Sequence, residues 1–207
     1  MFVGEGQDWL DGEERAWNIL AELDPADISR RAKVLYDKAS EQYILPIFNT
    51  EISVSPKDRK MLGNSPTAGF LLNNLSHYSR LSILWYLIQV KDIPLSGKLV
   101  NPGNMSDGQI FFKGSHELPL NKITEKYGSD IQGFLRRGIE LGGVPFDYGD
   151  ASLKLFPFPK VPVVLLLWTG DTEFPTCADL LFDSTCSIHL PIDIIWSTAM
   201  ISILVML

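Results

Sequence analysis

Apolar residues recur at helical spacing twice near the start of the chain. Across residues 12–23, Ala16, Trp17, Leu20 and Leu23 make one stripe, with Glu13, Glu14 and Arg15 ahead of it. This predicts an amphipathic helix with acid near its positive end. Asp24-Pro25 then stops one helix and starts another. Asp24 is placed to cap, Pro25 suits the first helical position, and Ile28, Ala32, Leu35 and Tyr36 carry an apolar face to about Ala39. Residues 43–48 and 52–54 are short β-forming runs around Asn49-Thr50-Glu51, a predicted hairpin in which Pro46 marks an edge strand. After an irregular excursion or short helix beyond Pro66, residues 76–90 place Tyr78, Leu81, Leu84, Trp85 and Ile88 at helical spacing, with Ser76 as cap. Residues 109–112 read as a short apolar strand or turn. Two more helices follow over 118–127 and 130–141, ended by Gly128 and Gly142-Gly143, with Ser129 capping the second. Residues 151–156 alternate. Beyond Pro157-Phe158-Pro159-Lys160, residues 161–168 are continuously apolar, as a central strand covered on both faces would be, with Pro162 tolerated at its beginning.

These elements predict an α+β fold, a mainly antiparallel sheet with packed helices, in a single domain over 1–207: an N-terminal helix pair at about 12–39 and a mixed body at about 43–207. The last 16 residues, from Ile192, are strongly apolar. As a helix they reach about 24 Å, short of a hydrocarbon core of roughly 30 Å. They are expected to be a buried helix or the face of a homo-oligomer, and not a membrane span.

Composition narrows the partners. With 18 Lys and Arg against 25 Asp and Glu, a net charge of -7, nothing supplies the positive field that a nucleic acid needs. The chain has two cysteines, Cys177 and Cys186, and its first residues lack a basic stretch leading into an apolar run, so the cytoplasm is the expected compartment.

Candidate chemistry concentrates after the central strand. Asp171 and Glu173, two apart in Gly170-Asp171-Thr172-Glu173-Phe174-Pro175, either form an acid–base or hard-cation pair, helped by Asp179, Asp183 or His189, or sit in an ordinary wet turn opened by Gly170. Asp183, before Ser184-Thr185, either closes an Asx turn or takes an active-site role. Cys177, Cys186 and His189 carry atoms suited to zinc but lack the close cysteine pairs and fourth ligand of a structural site, so no metal is assigned. A cysteine nucleophile paired with His189 or His116 has no local signature either. His77, in the first turn of its helix, is expected to be exposed or capping. Ser96-Gly97-Lys98 fails as a phosphate loop, having no glycine five residues earlier and no Ser or Thr after Lys98. Gly97 and Lys98 remain a glycine-bearing loop that either approaches an anionic ligand through its backbone amides or simply turns. Arg136 and Arg137 either hold an anion or mark a helix end.

Pro94-Leu95-Ser96-Gly97-Lys98, Pro119-Leu120, Leu141-Gly142-Gly143, Gly149-Asp150, Leu167-Trp168-Thr169-Gly170-Asp171-Thr172-Glu173-Phe174-Pro175, Leu181-Phe182-Asp183 and His189-Leu190-Pro191 together resemble an uncharacterised domain family of mainly anaerobic bacteria and archaea. The resemblance spans nearly the whole chain. It implies a setting in corrinoid, one-carbon or related redox metabolism, and some similar proteins carry an added iron–sulfur segment with clustered cysteines. This chain has no cysteine before Cys177, so that cluster is not expected here. The resemblance brings no activity and no cofactor. The functional expectation is a ligand-binding or interaction module for a small molecule or a protein; the alternative is a metal-assisted or acid–base enzyme using Asp171, Glu173, Asp183 and His189.

Overall fold

The first apolar stripes become α1 (Glu5–Glu22) and α2 (Pro25–Ala32). The structure is a computed structural model that describes residues 5–105 and 108–207, with the backbone alone for residues 5–11 and 110. Residues 1–4, on which the expectation of no secretory leader partly rests, lie outside the described residues. Ala16, Trp17 and Leu20 face the core, and α1 is pinned to the central helix by Glu13, which pairs with Arg80 and accepts the indole N–H of Trp17. Asp24 caps α2 as expected, accepting the amides of Ala26 and Asp27. The helix stops well short of Ala39. Lys33 takes a left-handed conformation with φ 56° that closes the helix, and Leu35 and Tyr36 pass instead into strand β1 (Leu35–Asp37).

With β2 (Gln42–Ile47), β3 (Thr50–Ser55) and β4 (Lys60–Leu62), β1 completes a four-stranded antiparallel sheet in sequence order. The β2–β3 turn is Phe48-Asn49, one residue earlier than expected; both have positive φ, 43° and 58°, the backbone sense that matches strand twist in a two-residue hairpin. β2 is therefore interior rather than an edge. Pro46 is tolerated because β1 pairs only with Gln42, Tyr43 and Ile44, so no neighbouring strand awaits its missing N–H.

A short α3 (Pro66–Gly69), capped by Ser65, runs through a π turn over Phe70–Asn74 into α4 (Ser76–Gln89). Ser76 does not cap α4; its hydroxyl donates to the carbonyl of Asn73. His77 is exposed. After β5 (Leu99–Val100), residues of α5 (Gly108–Phe111) form a helical turn where a strand or turn was expected. Then come α6 (Leu120–Tyr127) and α7 (Ile131–Glu140), the latter capped by Asp130 rather than Ser129, since the Asp130 carboxylate reaches the amide of Gly133. Arg137 donates to the carbonyl of Val205, at the negative end of the last helix, which accounts for it without an anion.

The second sheet contains β5, β6 (Val144–Pro145), β7 (Ala151–Phe158), β8 (Val161–Trp168) and β9 (Cys177–Asp183), antiparallel throughout in the order β5-β9-β8-β7-β6. β8 is central, and its residues 161–167 are all buried, as its unbroken apolar run predicted. The fold class is thus α+β. The two sheets touch where the Phe48 amide donates to the carbonyl of Phe156, and one cluster of buried apolar side chains runs through both.

α8 (Cys186–His189) is a single turn leading into α9 (Ile192–Leu204). α9 packs on α4, β7 and β8, and the chain's own elements cover it on every side past its first turn. Each isoleucine it removes from water contributes about 1.5–3 kcal/mol. Two of its polar interruptions are absorbed internally, Thr198 donating back to Ile194 and Ser202 back to Thr198, while the buried Ser197 hydroxyl has no partner. No helix among the described residues is long and apolar enough to cross a membrane.

Candidate functional site

The acids after the central strand do not form one cluster. In the β8–β9 loop, a carboxylate oxygen of Asp171 accepts the amides of Glu173 at 2.7 Å and Phe174 at 2.8 Å, an Asx turn whose donors hold its carboxyl below the usual range. Gly170 sits inside this reversal: its amide donates to Thr176, and a Cβ there would lie 2.7 Å from the Thr176 nitrogen. Asp171 and Glu173 are both solvent-exposed, so the wet turn is the arrangement adopted.

Asp183 closes the opposite end of β9 and His189 follows in α8; there the chain brings Asp183 to Gly97 and His189 to Lys91. Asp183 is 5% exposed and accepts five hydrogen bonds. One oxygen takes the amide and hydroxyl of Ser96 and of Thr185; the other takes the amide of Gly97 at 2.8 Å. Burial pushes this carboxyl up, and the donors from Thr185 and Ser96 more than reverse it, leaving it at about 2. The backbone amides around Gly97 therefore do cradle an anion, but that anion is the chain's own Asp183. The left-handed φ of Gly97, +73°, makes the approach possible. Lys98 contributes its backbone, its carbonyl accepting the amide of Ser184 at 2.8 Å, while the residue itself is exposed.

His189 is 1% exposed, and its Nδ1 accepts the amide of Lys91 at 3.1 Å. That bond requires a neutral ring with its proton on Nε2, which is buried without a partner. Burial, then the charge of Lys160, hold its pKa below the ordinary histidine value. The same connector is clamped along its length: Arg31 donates to the carbonyl of Val90, Lys160 to that of Ile93, and Asp92 pairs with Arg30, Lys33 and Lys160. The connector after α4 is thus fastened to α2, to the β7–β8 turn and to the β9–α8 corner. Asp183 accepts the Ser96 and Gly97 amides of this connector, and Nδ1 of His189 accepts its Lys91 amide.

The sulfurs stand apart. Cys177 is exposed and Cys186 is buried, its thiol pushed up to about 12 by burial and 3.8 Å from the sulfur of Met105. Among the described residues no group of three His, Cys, Asp or Glu side chains is arranged to hold a metal ion.

A groove of about 690 Å³ opens elsewhere, where the turn after β5, the first turn of α6 and the middle of β9 meet. Pro102, Phe112, Leu118 and Leu120 give it apolar walls, and Asn101, Glu117, Asn121 and Asp179 its polar atoms. One polar group is fixed in advance. Asn101 accepts the Gly103 amide through its carbonyl oxygen at 2.8 Å and turns its NH2 onto both oxygens of Asp179, at 2.9 and 3.1 Å. The Asp179 carboxylate is thereby oriented, half-buried, at the groove wall. Sequence reasoning named Asp179 only as a helper to Asp171 and passed over Asn101. The available signal was Asn101-Pro102-Gly103, a side chain able to lock its own turn beside a strand carrying an acid among apolar neighbours.

Fold and site define an α+β protein with two antiparallel sheets, a clamped central connector and a groove with a preset carboxylate. The chain belongs to the family described as domain of unknown function (DUF3786), whose model matches residues 24–204. No curated protein and no solved structure matches it.

Proposed function

We propose that the chain is a ligand-binding module and that the groove beside Asp179 is where it binds a small molecule. The oriented Asn101–Asp179 pair facing that open volume carries this reading, because a polar group held in place before binding loses little freedom when a ligand arrives. The enzyme alternative has less support: Asp183 is buried under five hydrogen bonds, the accepting nitrogen of His189 holds the Lys91 amide, and Asp171 and Glu173 lie at the far end of β9 from these two. The resemblance to a family of anaerobes suggests cofactor or redox metabolism as the setting. Two thiols that stay unpaired, one exposed and one buried, suit a reducing cytoplasm.

Amide-resolved NMR of the 15N-labelled chain, titrated with a fragment library, tests the reading. The expected result is shifts concentrated at Asn101, Gly103, Leu120 and Asp179. Fragment binding confined to other surfaces would overturn it.

A further inference from the structure

We infer that the groove selects an organic cation, an ammonium or guanidinium group carried on an apolar body; this rests on the groove being the binding site. The charged side chains that line it are Asp179 and Glu117, and no lysine or arginine is among the described residues of its wall. The opposing field is the start of α6, which no side chain caps. A helix end counts for about half a positive charge. Two carboxylates outweigh it, so the groove is net negative.

Acceptor capacity points the same way. A carboxylate offers about four acceptor sites. Oδ1 of Asp179 takes the NH2 of Asn101 and the amide of Leu180, whereas Oδ2 takes only the more distant contact with Asn101 at 3.1 Å. Oδ2 therefore keeps room for a donor from a ligand. The oxygen of Asn101 is held by Gly103 and its NH2 by Asp179, so Asn101 serves to orient the carboxylate. Glu117 is exposed at the mouth and needs no rearrangement to approach a positive charge. Phe112 and Leu118 supply the surface on which an apolar body would lie.

Calorimetric titration with three probes of similar size, phenethylammonium, 2-phenylethanol and 3-phenylpropanoate, tests this, with NMR locating each. The ammonium should bind roughly tenfold tighter than the alcohol, since a charge-assisted hydrogen bond is worth about twice a neutral one. The propanoate should be weakest. Glu117→Gln, at an exposed side chain, should weaken the ammonium severalfold, and Asp179→Asn should weaken the ammonium severalfold more than it weakens the alcohol. Alcohol or propanoate binding in the groove as tightly as the ammonium would overturn the cation assignment and leave the groove as a site. Absence of any probe from the groove would count against the groove itself.

Discussion

Asp183→Asn should be among the most costly conservative changes in the chain. The substitution keeps the size of the side chain, removes its charge and turns an NH2 toward a donor. At about 1.36 kcal/mol per pH unit, moving a carboxyl from 3.8 to about 2 corresponds to roughly 2.4 kcal/mol of preference for the charged form. The group lies just beneath the surface, so solvent screening reduces this to about 1–2 kcal/mol. An asparagine also cannot accept from both sides: with its oxygen toward Ser96 and Thr185, its NH2 faces the amide of Gly97, whose unpaired donor costs about 1–3 kcal/mol. The sum is about 3 kcal/mol, and for a chain of this length that lowers Tm by about 6–12 °C. Scanning calorimetry of both proteins at pH 7 checks the size. Acid checks the cause: a carboxyl whose folded pKa is depressed contributes fully above its unfolded value and loses that contribution as pH falls from about 4 toward 2. The gap between the two proteins should narrow over that window. A Tm difference below 1 °C at pH 7, or a gap that ignores pH, would refute the account.

Three further outcomes follow from the same geometry. Asp171→Asn should change Tm by less than 1 °C in the same calorimeter, because one oxygen of Asp171 takes both amides of its exposed turn and an asparagine oxygen can do the same. His189, neutral and buried with a lowered pKa, should make the wild type lose stability as pH falls below about 6.5, since the unfolded ring takes up a proton that the folded one resists; in urea titrations between pH 7.5 and 5.5, His189→Gln should flatten that slope. Titration with a thiol reagent should label one cysteine per chain quickly, and peptide mapping should place it at Cys177, while Cys186, buried with its thiol near 12, reacts only on unfolding.

What the chain reveals without its structure divides along the range of the forces involved. β8, its hairpin with β7 and the buried α9 were legible because long apolar runs have few places to go, and the α+β class followed from their alternation with helices. The misplaced ends were decided by single backbone states. The helical face through Leu35 and Tyr36 was real in periodicity, yet one left-handed residue at Lys33 converted it to a strand edge. Ser129 and Asp130 are both good caps, and only the reach of a carboxylate to Gly133 separates them. Pro46 read as an edge marker because sequence cannot show that a neighbouring strand will be three residues long.

The candidate site shows the same division in its chemistry. Asp171 and Asp183 both follow apolar strand residues and both precede hydroxyl-bearing ones, so local pattern gives them similar standing. Their difference comes from a segment 86 residues away from Asp183 in sequence, the Ser96-Gly97 loop, which surrounds one carboxylate and never meets the other. The loop reads either as one whose amides approach an anion or as a simple turn, and in the fold its amides meet a carboxylate that is covalently part of the chain. The groove escaped notice for the converse reason. Asn101 and Asp179 are 78 residues apart and neither stands in a motif, yet together they leave a carboxylate oxygen oriented toward open volume. A polar group that the fold has satisfied is a structural element whatever its residue type, and a polar group that the fold has oriented but left with capacity is where a ligand gains affinity. By that criterion Asp179, with an oxygen still able to accept, suits the proposed binding site better than Asp183, whose five bonds tie it into the architecture.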